Sequence, residues 1–206
     1  WVRNLSFKKD NDLSDEEKKF AEFNIEKCNQ VIKRIKSSID FLKSDSDFRN
    51  AFQLANQAIH EQNSWSKNSE YAFFNWRPFQ MAFILLVLES FIDNKRESKS
   101  IVDLLWFPTG GGKTEAYLCV ISFLLFKSSF KSKKEEDPGT QILIRYTLRL
   151  LTTQQFERAS AVVLASELIR KKSNLCKKDS KVFSIGLWIG GDSSPNKRED
   201  AKKALD

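Results

Sequence analysis

The stretch Ile101 to Leu118, IVDLLWFPTGGGKTEAYL, constrains this chain more than any other. Ile101 to Phe107 is an apolar run with the composition of a buried parallel strand. It stops at Pro108. Gly110, Gly111 and Gly112 follow, then Lys113, Thr114 and a helix-forming run. A strand, a glycine loop and a helix in that order form a phosphate cradle. Glycines turn backbone N–H groups inward at φ values that a Cβ resists, and the helix adds the positive end of its dipole. Lys113 would then reach the β and γ phosphates of a nucleotide, and Thr114 would hold Mg²⁺ through its hydroxyl. The competing reading is a glycine-rich turn that carries a lysine by chance. The order of the three parts weighs against it, although the strict spacing GxxxxGK, then Ser or Thr, fails at its first position, where Phe107 stands.

Composition narrows the setting. A chain of 206 residues holds one or two domains, and an apolar share of 41% is enough for a core. The net charge of +7 and pI near 9.3 favour a polyanionic partner without establishing one. Cys28, Cys119 and Cys176 lie far apart and match no metal-ligand spacing, so they read as thiols of a reducing cytosol, and the expected location is cytoplasmic. A single histidine, His60, argues against a histidine-based zinc site or a serine–histidine triad. The longest apolar run, Met81 to Leu88, is far shorter than the ~20 residues that span a bilayer. The chain starts at Trp1 with no signal-peptide pattern and ends at Asp206 in a charged stretch; the expectation is a piece of a longer protein.

Taken in order, Ser14 and Glu17 form a capping box ahead of a long amphipathic helix over roughly Asp15 to Lys43. Ser44 to Asp47 interrupt it and cap a second helix through about Glu61. Packing explains both helices; an accessory arm touching DNA or another subunit is the alternative. Pro78 opens a helix whose run from Phe79 to Ile92 is apolar nearly all round, which predicts burial on most sides. A helix from Glu115 to Lys127 should pack on the sheet. Glu135, Glu136 and Asp137 lie in a solvated loop, in the wrong place for a Mg²⁺-binding acid. Gln141 to Tyr146 and Val182 to Ile189 read as second and third buried strands, with a helix ending near Lys172 between them. The last ten residues are predicted helical.

Two further groups carry chemistry. Gln80 has one donor and one acceptor group, which match the N6 and N7 edge of adenine, with an aromatic or arginine neighbour to stack on the base. The bland alternative leaves Gln80 in solvent at a helix start. Arg145, Thr147, Arg149 and Thr152 sit where a strand gives way to a helix, and hydroxyls and guanidinium groups there suit a nucleic-acid backbone. Structural ion pairs are the competing use of the arginines. Gly190 and Gly191 fit either close approach of a phosphate backbone or an ordinary tight turn.

The strings WRPFQMAFILL, DLLWFPTGGGKTEAYL, ILIRYTLRLLTTQQFERA and FSIGLWIGGDSSPN, spanning Tyr71 to Asn196, resemble the DrmA-type superfamily 2 helicases of the bacterial DISARM anti-phage systems. RNAFQLANQAI in the N-terminal part is also similar. The resemblance implies an α/β fold: a partial RecA-like P-loop NTPase lobe with a parallel sheet at residues 71–206, preceded by an α-helical N-terminal arm at 1–70. It implies ATP and Mg²⁺ as cofactors, with DNA and the system's second core protein as partners. Arg77, Phe79 and Gln80 then belong to the glutamine motif. Thr109, Gly110, Gly111, Gly112, Lys113, Thr114 and Glu115 belong to the phosphate-loop motif, with Lys113 and Thr114 as the catalytic pair and Thr114 as the metal ligand. Arg145, Thr147, Arg149, Thr152, Gly190 and Gly191 are the implied DNA contacts. The wording around Thr147 departs from the common PTREL form. No DExH or DExD motif follows Asn196, so this piece alone is expected to bind nucleotide weakly and hydrolyse nothing. A P-loop ATPase that remodels protein partners and a non-catalytic scaffold remain as alternatives.

Overall fold

Ser14 starts the first helix. Its hydroxyl accepts from the Glu17 N–H at 3.3 Å, and the Glu17 carboxylate accepts from the Ser14 N–H at 2.8 Å, the reciprocal cap foreseen from the sequence. The hydrogen bonds from Ser14 hold the Glu17 carboxyl below its usual pKa. The computed structural model describes residues 14–65, 74–92, 101–108, 110–130, 139–146, 149–188 and 197–203; the side chains of 149–152 lie outside that description. The described elements run α1 (Asp15–Ser44), α2 (Ser46–Trp65), α3 (Pro78–Leu88) continued by a 3-10 turn (Glu89–Phe91), α4 (Lys113–Ser129), α5 (Arg149–Lys172) and α6 (Arg198–Lys203).

Asp45 separates α1 from α2 by serving both. Its N–H donates to the Phe41 carbonyl at 2.8 Å, closing α1, and its side chain accepts from the Phe48 N–H at 2.7 Å, opening α2. Arg49 caps from the other side, donating to the carbonyls of Leu42 and Lys43 at 3.1 Å. Along α2, Phe48, Ala51, Ala55, Ala58 and Ile59 are buried at helical spacing.

The chain divides into two compact units, Trp1–Arg49 with Asn75–Val120, and Asn50–Phe74 with Ile121–Asp206. In the first, α1 packs along α3 and the 3-10 turn. Ile84 and Leu88, one helical turn apart on α3, are wholly buried, and Gln80 one turn earlier is 3% exposed. The rest of α3 is less enclosed than its apolar composition predicts: Ala82 is exposed and Met81, Phe83 and Leu85 are half-buried.

In the second unit, Phe126 of α4 meets Phe183 edge to face at 5.7 Å. The hydroxyls of Ser122 and Ser166 join α4 to α5 at 2.8 Å, both buried. Arg170 of α5 donates twice to Glu167, each at 2.7 Å, and once to the Ser180 hydroxyl at 3.0 Å; Glu167 also accepts from the Phe183 N–H at 3.2 Å. That cluster pins the chain after α5 back onto the helix.

The expected parallel sheet is absent from the described residues. Among the described residues there is no strand, and the runs 101–107, 141–146 and 182–188, predicted as its three buried strands, form no ladder. Phe183 apart, their side chains are not buried in a core: Val102 is 91% exposed, Leu104 81%, Trp106 87%, Leu143 79% and Trp188 78%. The described secondary structure is helical, so the α/β RecA-like assignment is corrected to helices with irregular segments between them among the described residues. The physical reason is that β-branched and aromatic composition favours an extended backbone but does not supply a neighbour. A strand exists only where its N–H and C=O groups find another chain segment in register.

Candidate functional site

Gly110, Gly111 and Gly112 lead straight into a helix. The Gly111 N–H donates to the Pro108 carbonyl at 3.3 Å. Gly110 lies at φ +77° and Gly112 at φ +90°, where a side chain is strained. The space above Gly110 is open: a Cβ there would meet nothing within 4 Å. Gly112 is needed for a second reason, because a Cβ on it would stand 2.7 Å from Nε2 of Gln80. Lys113 is the first residue of α4, so the N-terminal turn of that helix lies at the loop.

Three side chains hold the loop by its carbonyls. Gln80 Nε2 donates to the Gly112 carbonyl at 2.7 Å, while its Oε1 accepts from the Arg77 N–H at 2.8 Å. Arg77 Nη1 donates to the Gly111 carbonyl at 2.9 Å. Lys113 Nζ turns back over the loop to the carbonyls of Phe107 and, at 3.1 Å, Pro108. Phe79 stacks face to face on Phe107 with ring centroids 3.8 Å apart. The Thr114 hydroxyl accepts from Tyr117 Oη at 3.0 Å, which leaves it a second lone pair. The Glu115 carboxylate lies beside the loop, with Oε2 3.4 Å from where a Gly112 Cβ would stand.

Arg77, Phe79, Gln80, Gly110, Gly111, Gly112, Lys113, Thr114 and Glu115 are thus assembled around one loop, while Thr109 lies outside the described residues. Gln80 is placed differently from the solvent-facing alternative: it is buried, and both ends of its amide engage backbone groups. Of the expected DNA contacts, Arg145 is exposed on the segment 139–146. Arg149 and Thr152 lie in the first turn of α5, with side chains outside the description, and Thr147, Gly190 and Gly191 are outside the described residues.

The donor set suits a polyphosphate: open space over Gly110, helix N–H groups, one ammonium and one guanidinium. The Thr114 hydroxyl suits a divalent cation shared with it. Sequence reasoning missed that Lys113 is engaged by the carbonyls of Phe107 and Pro108, and that Phe107, the residue breaking the strict motif, stacks on Phe79. It also missed Arg34, whose partners are two acids set in otherwise apolar runs, Glu89 and Asp103. A lone carboxylate in an apolar run was the available signal. No helix among the described residues is long and apolar enough to cross a membrane.

Over 194 residues the chain is 41% identical to the DISARM protein DrmA of Bacillus paralicheniformis, a match covering 85% of this chain and 17% of that relative. The chain therefore spans only a small part of the length of the curated relative it matches. No family model matches it. No solved structure matches it either.

Proposed function

We propose, from the premise that this chain is a DrmA-like sequence, that it supplies the nucleotide seat of an ATP-dependent DNA helicase or translocase serving DISARM phage defence in the bacterial cytoplasm. The observation that carries this reading is the glycine loop itself. Two glycines of positive φ lead directly into α4, Lys113 opens that helix, and the space above Gly110 is free. A triphosphate tail laid in that space would receive the first-turn N–H groups of α4. Lys113 would exchange the carbonyls of Phe107 and Pro108 for phosphate oxygens, a stronger, charge-assisted partner. Arg77 and Gln80 hold the carbonyls of Gly111 and Gly112, which keeps those oxygens turned away from the anion. Mg²⁺, when bound, would neutralise part of the phosphate charge, with the Thr114 hydroxyl as its ligand from this chain.

DNA and the second core protein of the DISARM system are the proposed partners of the full-length protein, with Arg145 the exposed candidate for a backbone contact on this chain. Isolated, the chain should bind nucleotide weakly and turn none over. In the full-length protein, Lys113→Ala should abolish DNA-stimulated ATP hydrolysis, measured as phosphate release with and without DNA. Unchanged turnover in that variant rejects the seat. Turnover that responds to a protein partner and not to DNA moves the assignment to a protein-remodelling ATPase.

A further inference from the structure

Arg34 stands on α1, a helix to which the nucleotide reading gives no task. Its side chain is 15% exposed, and its guanidinium reaches two elements that meet again at the glycine loop. Toward the segment entering the loop, Nη1 and Nη2 form a two-pronged pair with the Asp103 carboxylate at 2.5 and 2.9 Å. Toward the far end of α3, Nη2 also donates to the Leu86 carbonyl and the Ser90 hydroxyl, each at 3.2 Å, and Nε donates to Glu89 at 3.3 Å. The hydrogen bond to Asp103 leads the causes that raise the Arg34 pKa, so the cation stays charged at any working pH.

A buried charge cluster is a poor means of adding stability, because desolvating the ions cancels most of their attraction. What it supplies is direction: a planar fork fixes its partners in distance and angle, as an apolar contact does not. The partners here belong to a frame with two ends. At one end Arg34 ties α3 and its 3-10 turn to Asp103. At the other, four residues further along the same segment, Phe79 of α3 stacks on Phe107 at 3.8 Å and Gln80 holds the Gly112 carbonyl at 2.7 Å. The carbonyls of Phe107 and Pro108, which take the Lys113 ammonium, hang from that same segment.

We infer that Arg34 is a positioning residue for the phosphate tail: by fixing the spacing of α3 and the segment 103–107, it sets the conformation of Gly110–Gly112 without touching the ligand. The inference rests on the nucleotide reading proposed above. It makes α1 the back wall of the site instead of a separable arm.

The test uses the full-length protein, a fluorescent ATP analogue and thermal melts, with affinity measured well below every melting temperature. Arg34→Lys keeps the charge but loses the fork; Asp103→Asn keeps the shape but loses the ion pair, and it holds the test should Arg34→Lys unfold. Each should weaken nucleotide affinity about tenfold, short of the ~100-fold that a 1 Å misplacement can cost. The double variant should bind no worse than the weaker single, since both remove one link. Melting temperatures that fall while affinity stays within about twofold would reduce the cluster to a fold-only bridge and overturn the inference. Lys113→Ala separates the two layers. If it binds the analogue as tightly as wild type, the nucleotide seat itself fails. If it loses binding while the Arg34 and Asp103 variants keep theirs, only the positioning role fails.

Discussion

Gly110 and Gly112 share a positive φ but differ in what surrounds them, and substitution separates the two effects. Alanine at Gly110 would pay only for strained backbone, about 1–2 kcal/mol, because nothing stands within 4 Å of its Cβ. Alanine at Gly112 meets the same strain and also the Gln80 amide at 2.7 Å, so the bond to the Gly112 carbonyl must shift. Urea unfolding should therefore show the Gly112→Ala loss exceeding the Gly110→Ala loss; equal losses would mean Gln80 is not packed against the loop. Cysteine chemistry gives a second residue-scale expectation. Burial pushes the Cys119 thiol up to about 12, whereas Cys28 is exposed on α1. At pH 7.5 native protein should take up maleimide at Cys28, with Cys119 and the buried Cys176 reacting only after unfolding. Mass spectrometry of peptides from briefly labelled protein reads this directly, and rapid native modification of Cys119 would contradict its burial.

At the scale of elements, the cluster of Glu167, Arg170 and Phe183 gives α5 a pH dependence. The hydrogen bond from Arg170 leads the causes that hold the Glu167 carboxyl below its ordinary value of 4.5. The folded state thus binds the proton less readily than the unfolded one. The stabilisation is complete above the ordinary carboxylate value and is lost as pH falls through the depressed folded one. Glu167→Gln should remove that part of the acid sensitivity of the urea midpoint, at a cost of about 3 kcal/mol at neutral pH from stranding a buried guanidinium. A variant as acid-sensitive as wild type would place the titrating group elsewhere. Such elements were legible in the sequence to different degrees. The caps of α1 and α2 came through because Ser14, Glu17 and Asp45 act on backbone within three residues. The order of glycine loop and α4 came through for the same reason. The cross-links from Arg34 to Asp103 and from Gln80 to Gly112 did not, because they join positions 69 and 32 residues apart, and periodicity carries no information about which turn meets which loop. The three strands failed on the same ground, since a ladder is a relation between distant segments.

For the whole molecule the issue is where apolar side chains are hidden, and composition gives a misleading answer. The run from Ile101 to Phe107 is as apolar as any core segment, yet Val102, Leu104 and Trp106 alternate on an exposed face, whereas Phe123 and Phe126 of α4 are wholly buried. Stability should therefore be insensitive to the first group and sensitive to the second. Trp106→Ser and Trp188→Ser remove surface already in water, at 87% and 78% exposure, and should change the free energy of unfolding by no more than about 0.5 kcal/mol. Phe123→Ala opens a cavity where no solvent reaches and should cost about 3–5 kcal/mol. Iodide quenching provides an independent reading: the quenchable tryptophan emission should fall in the Trp106 and Trp188 double variant, with Trp65, 47% exposed, contributing to what remains. A loss of several kcal/mol in Trp106→Ser, with emission protected from iodide, would mean that the segment before the glycine loop is packed in solution. The frame that Arg34 and Asp103 build around it would then be one side of a deeper core.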